Sequence, residues 1–227
     1  MVGLFILIAQ APKAFAQERV DVAIVLAVDT SASVDSREYQ LQMQGIADSL
    51  NDPEIIATIQ RGPNAAIAIS LLQWSSIDEQ AVTLDWMVLR TGTDTAIAAR
   101  AIRRTPRLFG FRGTAIADAI DYANRHLERL PFRADRRVID VSGDGKNMHP
   151  PLLLHAKRRA EAAGIVINGL PIISTDPNIH HYYADHVIAG PGSFIEIANS
   201  YDDFGVAMKR KLLREIRGIP MVSMAED

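Results

Sequence analysis

Three oxygen-bearing side chains stand at alternate positions in Asp29-Thr30-Ser31-Ala32-Ser33, directly after the apolar run Val22-Ala23-Ile24-Val25-Leu26-Ala27-Val28. An unbroken aliphatic and β-branched run reads as a strand buried on both faces, the kind found in parallel sheets. Alternate residues of an extended or turning segment point the same way, so Asp29, Ser31 and Ser33 can converge on one point beyond the strand end. One carboxylate and two hydroxyls at one point suit a hard divalent cation such as Mg²⁺.

Two distant segments carry matching chemistry. Thr114 stands at the mouth of a helix in Arg112-Gly113-Thr114-Ala115-Ile116, and Asp144 lies just past the strand Val138-Ile139-Asp140-Val141, in Ser142-Gly143-Asp144-Gly145. Ligands of open α/β sheets collect outside the carboxyl ends of the strands, near the switch in strand order. Each residue alone has a plainer reading. Asp29 can be a strand-end turn residue, Ser33 or Thr114 a helix cap, and Ser142–Gly145 an ordinary turn. Taken jointly and in this order, they favour a metal site.

The elements that must position these residues alternate along the chain, which predicts a doubly wound α/β domain: a mostly parallel central sheet with helices on both faces. Strands are expected at 20–28, 65–74, 137–141 and 165–172, with an edge strand at 80–84 and a last strand at 193–198. Asp35-Ser36-Arg37-Glu38 opens a helix to about Leu50 like a capping box. A helical turn through Ile59, helices over 93–103, 113–130 and 150–163, a short helix in 177–184 and an amphipathic helix over 202–217 complete the pattern. Residues 17–217 read as one domain and 218–227 as a loose tail.

Asp-x-Ser-x-Ser after the first strand, a Thr opening a middle helix and an Asp after the fourth core strand together resemble von Willebrand factor A (VWA) domains. The likeness extends over nearly everything after Gln17, and the chain resembles the stand-alone bacterial VWA-like proteins that have only a domain-of-unknown-function label. It implies a VWA/Rossmann-like fold and a metal-ion-dependent adhesion site in which Asp29, Ser31, Ser33, Thr114 and Asp144 hold Mg²⁺, Mn²⁺ or another divalent cation, directly or through water. It further implies that one open coordination position takes an Asp or Glu from a protein partner.

Composition narrows the remaining classes. The chain has 227 residues, nearly half hydrophobic, with a net charge of -3 and no cysteine. Disulfides and thiolate chemistry are thereby excluded, and no basic surface argues for nucleic acid. Leu4-Phe5-Ile6-Leu7-Ile8-Ala9 followed by Ala14-Phe15-Ala16 reads as a signal peptide over residues 1–16. The expectation is a periplasmic or secreted protein beginning at Gln17, without a stable membrane span. Oligomeric state is not legible.

Other residues support lesser readings. Asp35 is a helix cap ahead of a second-ion ligand, and Asp94 a first-turn acid. His180, His181 and His186 lack metal-ligand spacing and read as a loop. Trp74 is core or rim, and Phe109 and Phe111 are either a binding-face rim or a packed loop. No P-loop, second Asp of a phosphatase motif or nucleophile elbow is present, so the expectation is a binding protein and not an enzyme. The rivals are a Mg²⁺-assisted hydrolase, with His149 as base, and a cytoplasmic helper of an ATPase complex.

Overall fold

The computed structural model describes residues 18–110 and 113–218. The leader expected over 1–16, Phe111, Arg112 and all of the tail after Gly218 lie outside the described residues.

The first apolar run forms β1 (Arg19–Asp29), buried from Val20 onward. It lies at the centre of a five-stranded sheet of order β3-β2-β1-β4-β5, made with β2 (Ile67–Trp74), β3 (Gln80–Leu89), β4 (Arg133–Gly143) and β5 (Ile165–Pro171). All neighbours run parallel except β3, which pairs antiparallel with β2. The alternation of β1 divides the core. Val22, Ile24, Leu26 and Val28 face one helical layer, while Ala23, Val25 and Ala27 face the other. The first layer contains α1 (Ser36–Leu50), α2 (Pro53–Gln60), α3 (Gly92–Arg104) and α7 (Phe204–Arg217). The second contains α4 (Ile116–Glu128), α5 (Pro150–Ala162) and α6 (Ile179–Tyr182), with the π turn Tyr183–Val187. Trp74 is fully buried in this second layer.

Capping follows local chemistry. Asp35 accepts from the backbone N–H of Glu38, whose carboxylate accepts in return from the N–H of Asp35. Thr91 and Asp94 make the same reciprocal pair at α3. Both acids are therefore engaged as helix caps.

Several boundaries differ from expectation, β4 among them, which begins at Arg133 and not at Arg137. The edge strand β3 continues to Leu89, five residues past the expected end at Leu84, because β2 pairs along it with register shifts around Ser70 and Leu71. Helix α4 starts at Ile116, not at Gly113-Thr114. Residues 193–198 form no strand. Gly190 and Gly192, with φ of 89° and 71°, turn the chain just before them. The segment then lies beside β5 through the isolated bridges Gly169–Ile195 and Ile172–Ala198.

One charged cluster ties α7 to the sheet. Lys211 Nζ lies 2.6 Å from Asp140 Oδ1 of β4 and 2.6 Å from Glu215 Oε1, and all three side chains are buried. Asn168 of β5 donates to the same Glu215 oxygen at 2.9 Å. Two carboxylates thus share one ammonium. Burial, reinforced by Glu215, pushes the Asp140 carboxyl up against the pull of Lys211.

Candidate metal centre

The chain leaves β1 toward β2 on one side and later enters β4 on the other, so the carboxyl ends of β1 and β4 border the topological switch point. Asp29 ends β1, and Asp144 follows the last residue of β4. Strand register thus brings together two acids separated by 115 positions in sequence.

Local hydrogen bonds shape the first loop. The Ser31 N–H donates to Asp29 Oδ1 at 2.7 Å, folding the loop back over the strand end. The Ser31 and Ser33 hydroxyls are 3.1 Å apart, and Ser33 donates to Asp144 Oδ1 at 2.7 Å. Asp29, Ser31, Ser33 and Asp144 therefore form one connected chain of polar contacts. The loop is held from below and from the side. Gln42 of α1 donates to the backbone oxygen of Asp29 at 3.2 Å. Arg107 donates to the backbone oxygens of Thr30 and Ser31 at 3.0 and 2.9 Å.

Thr114 approaches from the third segment. A Cβ on Gly145 would lie 2.8 Å from Thr114 Oγ1, so this glycine lets the hydroxyl sit close against the backbone of the residue that follows Asp144. Thr114 is not the helix cap: the N-cap position of α4 is Ala115, with no side-chain cap bond. Asn147 takes that task, its Oδ1 accepting from the N–H of Ala117 at 3.0 Å. The Thr114 hydroxyl is thereby released from capping, the plainer role open to it in the sequence.

The donor set fits a hard cation. Asp29 and Asp144 are buried, and Asp29 Oδ2 and Asp144 Oδ2 have no hydrogen-bond donor. Burial above all, with repulsion from Asp144, pushes the Asp29 carboxyl up to about 7 despite the hydrogen bonds from Ser31. Two orphaned carboxylate oxygens among three hydroxyls are costly without a positive charge. Among the described residues no group of three or more His, Asp or Glu could hold a metal, so hydroxyls would have to supply the other ligands of a cation here. Oxygen-only donors match Mg²⁺ or Mn²⁺ better than softer ions.

Sequence reasoning missed Tyr183, Arg107, Gln42 and Asn147. The buried Tyr183 hydroxyl has no partner and faces the same space as Asp29: a Cβ on Gly143 would lie 2.9 Å from it and 2.7 Å from Asp29 Oδ2. Burial, then Asp29 and Asp144, keep this phenol protonated by raising it well above its usual range. Gly143→Ala should therefore destabilise the protein by about 1–3 kcal/mol through overpacking and weaken divalent-ion binding at least tenfold. Urea denaturation and calorimetric Mn²⁺ titration of the variant check both.

The other candidates lie apart from this network. His149 is exposed at the start of α5, with its backbone oxygen engaged by Asn147. The His180 and His181 rings lie against each other, tilted by 40° with centroids 4.0 Å apart.

Several solved structures share the fold. Mussel byssus proximal thread matrix protein 1, in a form with a zinc-occupied MIDAS motif, superposes with a TM-score of 0.62 at 16% identity over 89% of this chain and 47% of its own. A von Willebrand factor type A protein from Catenulispora acidiphila gives 0.61 at 15% identity, over 87% and 43%. Manganese-loaded Plasmodium vivax TRAP protein gives 0.56 at 14%, over 90% and 75%. The chain spans less than half the length of the first two. No curated protein sequence matches it. The architecture is that of VWA domains, and the sequence model that matches residues 19–220 assigns the chain to a family of its own: it belongs to the family described as protein of unknown function, DUF1194.

Proposed function

We propose that this domain binds a protein partner through a divalent cation held by Asp29, Ser31, Ser33, Thr114 and Asp144. The observation that carries the reading is the pair of buried, donor-less oxygens, Asp29 Oδ2 and Asp144 Oδ2, at the switch point of the sheet. A cation there, bound by only two acids, keeps enough positive charge to attract an outside carboxylate. Mg²⁺ is the preferred ion, since it tolerates few carboxylates and retains water. The neighbours with zinc in a MIDAS motif and with manganese support a divalent ion in general.

Binding is favoured over catalysis because, among the described residues, the one histidine considered as a base stands apart from the five oxygen ligands. His149, the base a hydrolase would need, makes no hydrogen bond to any of the five residues. The domain acts outside the cytoplasm, released by cleavage after Ala16. That placement rests on the apolar leader ending in Ala14-Phe15-Ala16. No helix among the described residues is long and apolar enough to cross a membrane.

Thr114→Ala tests the mechanism. The first loop and Asp144 remain, so metal affinity should fall less than partner affinity. Capture of a carboxylate partner should fall about ten- to hundredfold, the loss of one charge-assisted contact. Surface plasmon resonance in Mg²⁺ and in chelator, with a partner isolated by Mg²⁺-dependent pull-down, measures it. Binding indifferent to chelator and to Thr114→Ala would place recognition elsewhere.

A further inference from the structure

A groove of about 650 Å³ opens beside the first metal loop, between α1 and the segment after α3. Tyr39, Leu41 and Met43 give it an apolar wall, Arg37, Arg103 and Arg107 line it, and no carboxylate does. It is continuous with the metal centre through Arg107, whose guanidinium donates to Thr30 and Ser31 of the metal loop. The segment forming its far wall is fixed. The Tyr39 hydroxyl donates to the Thr105 oxygen, and buried Gln73 donates to the Pro106 oxygen and accepts from the Leu108 N–H.

We infer that this groove holds the acidic polypeptide that flanks the metal-bound carboxylate of the partner. The inference rests on the cation-binding reading above and adds the chemistry of the partner. From Ser36 to Gln44 the groove follows two turns of α1, about 12 Å at 1.5 Å per residue. That length accepts roughly three to four residues of extended chain. The three guanidinium groups select acidic residues there. Arg37 pairs with Asp202 and Arg103 with Asp48, but these pairs are solvent-exposed and exchange easily with an incoming carboxylate. Among the described residues no carboxylate forms an ion pair with Arg107, and its Nε is buried without an acceptor. The apolar wall favours an aliphatic side chain beside the acid.

Two probes of defined chemistry test this by calorimetry or fluorescence polarisation: N-acetyl-aspartic acid amide and the peptide acetyl-Glu-Leu-Asp-Leu-Glu-amide. In Mg²⁺ the peptide should bind the full chain at least tenfold more tightly than the single amino acid. Gln40→Trp, which fills the groove from an exposed position on α1, and Arg103→Ala should each remove most of that gain. Both variants should keep the wild-type Mg²⁺ affinity. Equal, Mg²⁺-dependent binding of the two probes to the wild type overturns the groove alone. Binding that persists undiminished in chelator overturns the carboxylate-on-cation reading, and the groove proposal with it.

Discussion

Asp29→Asn should abolish Mg²⁺ and Mn²⁺ binding while making the metal-free protein more stable at pH 8, by on the order of 2–4 kcal/mol. The amide keeps an oxygen for the Ser31 N–H and places a neutral donor where Asp29 Oδ2 has none. The sign follows from linkage. The carboxyl of Asp29 is raised from 3.8 to about 7 in the folded protein. Its native state holds the proton more tightly than the unfolded chain does. The metal-free wild type therefore loses stability as pH rises from about 4 through 7, and the variant does not. The stabilisation should shrink toward zero as pH falls below 5. Urea denaturation in chelator at pH 5 and pH 8, beside calorimetric metal titration, gives both quantities. In the wild type the same linkage makes Mg²⁺ binding release a proton below pH 7, so affinity should fall with acidity. Equal Mg²⁺ affinity in wild type and variant would show that the site is wrongly assigned.

The second large effect lies away from the site. Lys211→Met should cost about 3–5 kcal/mol at pH 8, because it leaves Asp140 and Glu215 buried with no cation between them. The loss should be smaller at pH 5.5. Burial already pushes the Asp140 carboxyl up, and without the ammonium nothing pulls it back, so the folded variant is most stable where that carboxyl is protonated and weakens as pH rises. Replacing all three residues at once, Lys211→Met with Asp140→Asn and Glu215→Gln, should recover much of the stability. Denaturation midpoints at the two pH values settle it: a Lys211→Met cost below 1 kcal/mol at pH 8 would mean that water reaches the cluster.

The parts of this fold legible in the sequence are those governed by short-range pattern. The Val22–Val28 run predicts a doubly buried central strand, and β1 is one. Asp35 and Glu38 predict a capping box from their spacing, and they form it. The Asp29, Ser31 and Ser33 convergence follows from alternation, and the structure brings them to Asp144. Partners chosen by tertiary contact left no such trace. Arg107 in a loop looks like any surface arginine until its guanidinium reaches the carbonyls of residues 76 and 77 positions earlier. Asn147 caps α4 from 30 residues away, which made Thr114 look like the cap. Tyr183 belongs to a π turn after a four-residue helix, too short for periodicity to register. The β3 strand was underestimated because Asp85, exposed to solvent, breaks the apolar alternation without breaking the pairing.

The irregular run beside β5 bears on how the molecule behaves in company. Ile167 exchanges backbone hydrogen bonds with Ala189, Gly169 donates to Phe194 and accepts from Glu196, and Pro171 accepts from Ala198. The outer row of β5 is therefore satisfied within the chain, and offers no template on which another molecule could add a strand. The opposite border, β3, is roughened by its register shifts and carries exposed Asp85. A kinked, charged border resists pairing with its own kind. Both ends of the sheet are thus guarded against strand addition, one by a covering segment and one by shape and charge, and crowding alone gives copies of this domain little to zip together.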